Sequence, residues 1–157
     1  MAGDANDGPA LTALLRGHDV AISAVHFSAS DPDTLIAAAR DSGVSRYIVV
    51  GGAASLETEP GKRLLDSPDF PEAYRAEATA AAAFLDRLKT EDGLNWTFLS
   101  PSALFEDGER TGIFRLGTDQ LLVSPTGSRI SFEDYAVALV DEIETPAHQR
   151  QRFTVGY

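Results

Sequence analysis

The chain has 157 residues, enough for one domain with a real core, and 43% of them are hydrophobic, too many for a disordered acidic tail. Thirteen Lys and Arg against 24 Asp and Glu leave a formal charge of 13 − 24 = −11, which argues against a nucleic-acid binder and against docking on anionic lipid. There is no cysteine, hence no disulfide, thiol nucleophile or thiolate metal site. No apolar stretch approaches the roughly 20 residues of a membrane span, and Met1–Asp7 lacks the basic and apolar regions of a signal peptide. The expectation is a cytoplasmic protein in which residues 1–157 form a single domain.

The first element reads as a helix capped by Asp7, with Pro9 in its first turn, a stripe of Leu11, Leu14 and Leu15, and Gly17 to end it. Val20–Val25 is short and nearly all apolar, which suits a strand covered on both faces. A second helix has Asp31 as cap, Pro32 as first residue, Leu35, Ile36 and Ala39 facing inward, and Gly43 as stop. Tyr47–Val50 is a β-branched run ending at Gly51-Gly52. A loop through Pro60 and Pro68 leads to the longest helix. There Asp69 and Glu72 have capping-box spacing, Ala76, Ala80, Phe84 and Leu88 share one face, and Gly93 is the stop. Trp96–Leu99 is the third strand, closed by Ser100-Pro101. Beyond it, Ile113–Leu116 and Gln120–Val123 read as short strands of a hairpin around Gly117, Thr118 and Asp119. Ser131 and Asp134 cap a helix carrying Ala136, Val137, Val140 and Ile143, with Pro146 past its end, and Arg152–Tyr157 forms a last strand.

Strands separated by helices mean βαβ units, so the fold class is α/β with a parallel sheet. Ligands of such sheets bind beyond the carboxyl ends of the strands. Those ends are Ser23–His26, Gly51–Ser55 and Ser100–Ala103, all rich in small residues that let a ligand approach the backbone.

Several segments in order carry a resemblance: Tyr47–Leu56, Asp69-Phe70-Pro71 followed by Tyr74, Trp96–Ser102, Gly108–Gly112, Ser131–Ala136, and Phe153–Tyr157. Together they resemble the NAD(P)-binding, NADH-flavin-reductase-like group of atypical short-chain dehydrogenases over nearly the whole chain. The resemblance implies a Rossmann-like doubly wound parallel sheet, NAD or NADP as cofactor, and hydride transfer to a flavin or quinone-like small-molecule acceptor. Members of that family begin with a strand and a G-x-x-G-x-x-G turn, and no such turn follows any strand here. Gly3-Asp4 matches the end of the family's third strand. The implied fold is thus N-terminally truncated, with three core parallel strands plus small C-terminal strands. In a sheet ordered 3-2-1-4-5-6, Val20–Val25 would be the fourth strand without its neighbour, an apolar strand at an open edge. The cofactor diphosphate would also lack its helix N-terminus, so binding would be weakened or lost. Three accounts fit: a fragment or misassigned start of a longer protein, an edge paired with another copy as a homo-oligomer through Val20–Val25, or a domain that keeps the fold for another task.

Within the resemblance, Ser55 and Tyr74 are the catalytic candidates. A hydroxyl at Ser55 can orient a carbonyl or flavin ring, or simply bond its own loop backbone. Tyr74 matches the phenol of a Tyr-x-x-x-Lys pair, but position 78 is Ala, so the dyad is broken and Tyr74 stands as a lone donor or a packing residue. The cofactor-binding candidates are Asp4 and Ala5 at the adenine, Ser23, Ala24 and Val25 at the next strand end, Gly51 and Gly52, and Ser100, Pro101 and Ser102 beside the nicotinamide. His18, His26 and His148 are too scattered for a metal pair, and Arg110 reads as a surface ion pair or, alternatively, a phosphate or flavin contact. The reading with most support is an NAD(P)H-dependent oxidoreductase; the alternative is a non-catalytic binding or interaction module without the phosphate-binding loop.

Overall fold

The computed structural model describes residues 1–157. Local cap chemistry sets the first half. Asp7 accepts from the Ala10 amide at 3.1 Å and opens α1 (Gly8–Leu15). After β1 (Val20–Ser23) and a short 3-10 turn at Phe27–Ala29, Asp31 accepts from the Thr34 amide at 2.8 Å and opens α2 (Pro32–Ser42). Gly43 ends that helix at φ 83°, a left-handed conformation that glycine adopts without a Cβ clash. Then come β2 (Arg46–Val50), a two-stranded ribbon of β3 (Glu57–Glu59) and β4 (Lys62–Arg63), α3 (Glu72–Lys89) and β5 (Trp96–Pro101). The last part holds β6 (Leu104–Glu106), β7 (Arg115–Gly117), β8 (Arg129–Ser131), α4 (Phe132–Glu144) and β9 (Gln151–Gly156).

The main sheet has the order β1-β2-β5-β9-β7. β1, β2, β5 and β9 run parallel, with Ala21 beside Tyr47, Tyr47 beside Trp96 and Phe98 beside Arg152; β7 is antiparallel to β9. The three long apolar runs therefore lie side by side pointing the same way, as a Rossmann-like α/β sheet requires. One face packs Tyr47, Val49, Trp96 and Phe98 under α2 and α3, with Leu11 and Leu15 of α1 joining. The other packs Ile48, Leu99, Phe153 and Val155 under Tyr135, Ala138 and Leu139 of α4. β1 lies at the edge of this sheet. Its Ile22 is 51% exposed, so the strand is not covered on both faces as its composition predicts.

Other expectations need correction. α3 begins on Pro71, which has no side chain able to cap it, two residues past Asp69, whose amide donates to the Ser67 hydroxyl at 3.3 Å. Phe84 and Leu88 are buried on α3 as expected, but the rest of its buried face is Ala78, Ala81, Ala82 and Leu85, while Ala76 is exposed and Ala80 half-buried, and the helix ends at Lys89, before Gly93. The buried residues of α4 are Asp134, Tyr135, Ala138, Leu139 and Glu142, with Val140 exposed. No hairpin forms around Gly117–Asp119. β7 pairs with β9, and the chain after it joins the start of β3, the Glu57 amide donating to Asp119 O at 2.8 Å and the Leu121 amide to Glu57 O at 2.9 Å.

Candidate functional site

The carboxyl ends of β2 and β5, with the turn after β1, enclose a cleft of about 720 Å³. Gly51–Ala54 form its floor, Phe70, Tyr74, Ala78 and Ala81 one wall, Ala103–Phe105 the other, and Phe27 closes the end toward β1. Eleven of its 17 lining residues are hydrophobic, which suits a flat apolar ring. The walls are fixed by aromatic packing. Phe27 meets Phe84 edge to face at 5.3 Å, Phe105 meets Phe132 at 4.6 Å, and the Arg75 guanidinium lies 5.5 Å from the Phe70 ring centre.

Gly51 and Gly52 play different parts. A Cβ on Gly51 would lie 2.1 Å from the Phe98 ring, so packing alone demands glycine there. A Cβ on Gly52 would meet only Ala81, at 3.9 Å, so its backbone is open to a ligand. Tyr74 lies at the mouth, 67% exposed. One turn on, Ala78 is buried against Ala54, Leu65 and Ala82, so no ammonium stands beside the phenol. Arg75 is held under the loop, donating to Leu65 O at 3.3 Å and Phe70 O at 3.2 Å and pairing with Glu72 at 2.8 Å.

Ser55 lies outside the lining of the cleft. Its Oγ accepts from Arg152 Nη1 at 3.1 Å. Arg152 is buried in β9, donates to Asp119 at 2.6 Å, and also reaches Ser100 Oγ at 3.4 Å. Ser102 Oγ donates to Val155 O at 3.1 Å. The hydroxyls of Ser100 and Ser102 thus face β9, and Pro101 is buried with them. Ser23 is half-buried and Ala24 and Val25 are exposed at the end of β1. Asp4 and Ala5 reach the same end of the sheet, because Asn6 donates to Ala29 O at 3.1 Å and accepts from the Asp31 amide at 3.3 Å. Arg110 is exposed and forms no ion pair; its neighbours bind the start of α4, with Thr111 and Gly112 donating to Asp134 and Ser131 donating to Glu109 O.

Sequence reasoning missed Glu77. It lines the cleft, accepts from the Phe27 amide at 2.7 Å and the Ser28 amide at 2.9 Å, and lies 3.6 Å from His26. Burial pushes its carboxyl up, but the Ser28 hydroxyl and the two amides outweigh that and hold it below the usual range. The signal was its place three residues after Tyr74 on one helix face. Arg152 was missed as a site residue too, although a cation in an otherwise uncharged strand is a signal. No group of three or more His, Asp or Glu side chains is placed to hold a metal, and no helix is long and apolar enough to cross a membrane.

Three proteins are similar to this chain, one by sequence and two by structure. The uncharacterized protein YwnB of Bacillus subtilis strain 168 is 39% identical over 155 residues, covering 96% of this chain and 73% of YwnB. A Burkholderia pseudomallei protein, provisionally named as exported, superposes with a TM-score of 0.91 at 44% identity, covering all of this chain and 80% of its own. A Streptococcus pneumoniae protein, provisionally named an NADH-flavin reductase, superposes with a TM-score of 0.85 at 38% identity, covering 99% of this chain and 79% of its own. Residues 1–146 match the NAD(P)H-binding family model, and with the parallel sheet and its cleft at the strand ends, the chain belongs to the NAD(P)H-binding family.

Proposed function

We propose that the protein is an NAD(P)H-dependent reductase that works in the cleft over β2 and β5. The observation that carries this reading is the open backbone at Gly52 on the floor of an apolar cleft at the strand ends, where nucleotide cofactors of such sheets lie. The residues present fit the nicotinamide ring: Gly52 and Ala53 offer backbone, and Phe27 and Tyr74 offer flat faces. When bound, the reduced nicotinamide supplies a hydride, and the acceptor takes up that hydride and one proton to end two electrons reduced. Tyr74 orients the acceptor and passes on the proton, which the solvent replaces at this exposed position. Arg152 fixes the floor through Ser55. The acceptor of the reading is a flavin or a quinone, and the place of action is the cytoplasm.

Titrating the 157-residue chain with NADPH and NADH by fluorescence tests the reading. Saturable binding near micromolar, followed by cofactor oxidation when a quinone such as menadione is added, supports it. Binding with no oxidation by any quinone or flavin overturns it. A second reading, an interaction module, is favoured by one observation: no glycine-rich G-x-x-G-x-x-G turn follows any strand to hold a diphosphate. No saturable binding of either cofactor selects that module. We further propose that copies of the chain pair through the edge at Val20–Val25, where β1 is paired with β2 on one side and has no strand on the other.

A further inference from the structure

Every formal charge on the cleft lining is negative. Asp69 and Glu77 stand on the wall with Phe70 and Tyr74, and no Lys, Arg or His lines the space. The nearby basic side chains are placed elsewhere. The Arg75 guanidinium donates to the Leu65 and Phe70 carbonyls and pairs with Glu72, and His26 lies outside the lining, beside Glu77. Glu77 stays ionised at neutral pH, because the amides of Phe27 and Ser28 and the Ser28 hydroxyl hold its carboxylate. The remaining lining is largely apolar, with the rings of Phe27, Phe70, Tyr74 and Phe105.

A phosphate or carboxylate placed here gains no cationic partner and meets like charge, screened in part by solvent because Asp69 is exposed. A flat uncharged ring meets only favourable surfaces. The cofactor's own diphosphate is no objection, since it belongs where the strand order of such sheets reverses, on the β1 side, and the acidic wall lies on the α3 side.

We propose that this cleft takes a flat, apolar acceptor free of phosphate and carboxylate groups, a naphthoquinone or riboflavin as opposed to FMN or FAD, and that Asp69 and Glu77 impose the exclusion. The proposal deepens the reductase reading and rests on it for the word acceptor, while the binding selectivity is measurable without turnover.

The experiment compares riboflavin, FMN and menadione on the intact chain, using flavin fluorescence quenching for the first two and tryptophan quenching for the third. Riboflavin or menadione is expected to bind at least about tenfold more tightly than FMN at low salt. Raising salt to about 1 M narrows the gap between the two flavins by screening the repulsion. Asp69→Lys narrows it further by bringing FMN toward riboflavin. Asp69 is the test position because it is exposed, whereas Glu77 also holds the Phe27–Ser28 turn. FMN binding as tightly as riboflavin, a gap indifferent to salt and to Asp69→Lys, or no binding of riboflavin or menadione overturns the proposal. NADPH titration is scored separately: selective riboflavin binding without NADPH binding keeps this inference and removes the reductase reading, and NADPH binding with FMN preferred does the reverse.

Discussion

Glu142, 4% exposed on α4, sits among donors: Arg46 Nη2 at 3.1 Å, the His148 amide at 2.9 Å, His148 Nδ1 at 2.8 Å and the Ala147 amide at 3.2 Å. Burial pushes its carboxyl up, and the His148 amide and ring, the Ala147 amide and Arg46 together bring it below the ordinary value. A carboxyl depressed by folding adds stability that is fully present above its unfolded value, near about 4.3, and that stability drains away as pH falls through the folded value. Urea melts between pH 7 and pH 3 are expected to show this loss. Glu142→Gln is expected to lose about 3 kcal/mol at pH 7, by leaving Arg46 buried without its partner, and to flatten the acid limb. An acid limb unchanged in the variant refutes the assignment. Gly51→Ala is a sharper test of packing. Its methyl would enter the Phe98 ring, and a loss of about 1–3 kcal/mol in the same melts is expected.

Among the elements, α2 was legible from end to end, because its signals are local: Asp31 reaches the Thr34 amide within one turn, and Gly43 needs no distant partner to turn left-handed. α3 was legible in existence and, through Phe84 and Leu88, in part of its face, but not in its start. Its inner stripe follows from what it meets, Ala54 and Leu65 from the loop after β2, which no helical periodicity records. The supposed hairpin failed for the same reason, since Asp119 is drawn to Arg152 on a strand far along the chain. The packing of α3 also bears on the missing lysine. Ala78→Lys would recreate the Tyr-x-x-x-Lys spacing, yet position 78 is buried among alanines and a leucine. The variant is therefore expected to lose about 1–3 kcal/mol of stability without any gain in quinone reduction, by thermal melt and turnover assay. A gain in turnover at unchanged stability would show that the wall yields to a longer side chain.

At the scale of the whole molecule, the place of the site was legible because parallel sheets present ligands at their strand ends, and the cleft does open there. Which hydroxyls point into it was not, since Ser100 and Ser102 turn toward a strand far ahead in sequence. The sheet edge makes its own prediction. With Ile22 exposed on β1, size exclusion with light scattering is expected to return a mass above that of one chain, and Ile22→Lys to bring it down to one chain. A mass of one chain for both proteins removes the edge-pairing proposal. Arg152 has a consequence for biosynthesis. The guanidinium that braces the cleft floor is made only after residue 151, so a nascent polypeptide that has already emerged with β1, β2 and β5 still has no finished binding site. The contact between Arg152 and Ser55 can form only once that arginine has left the ribosome.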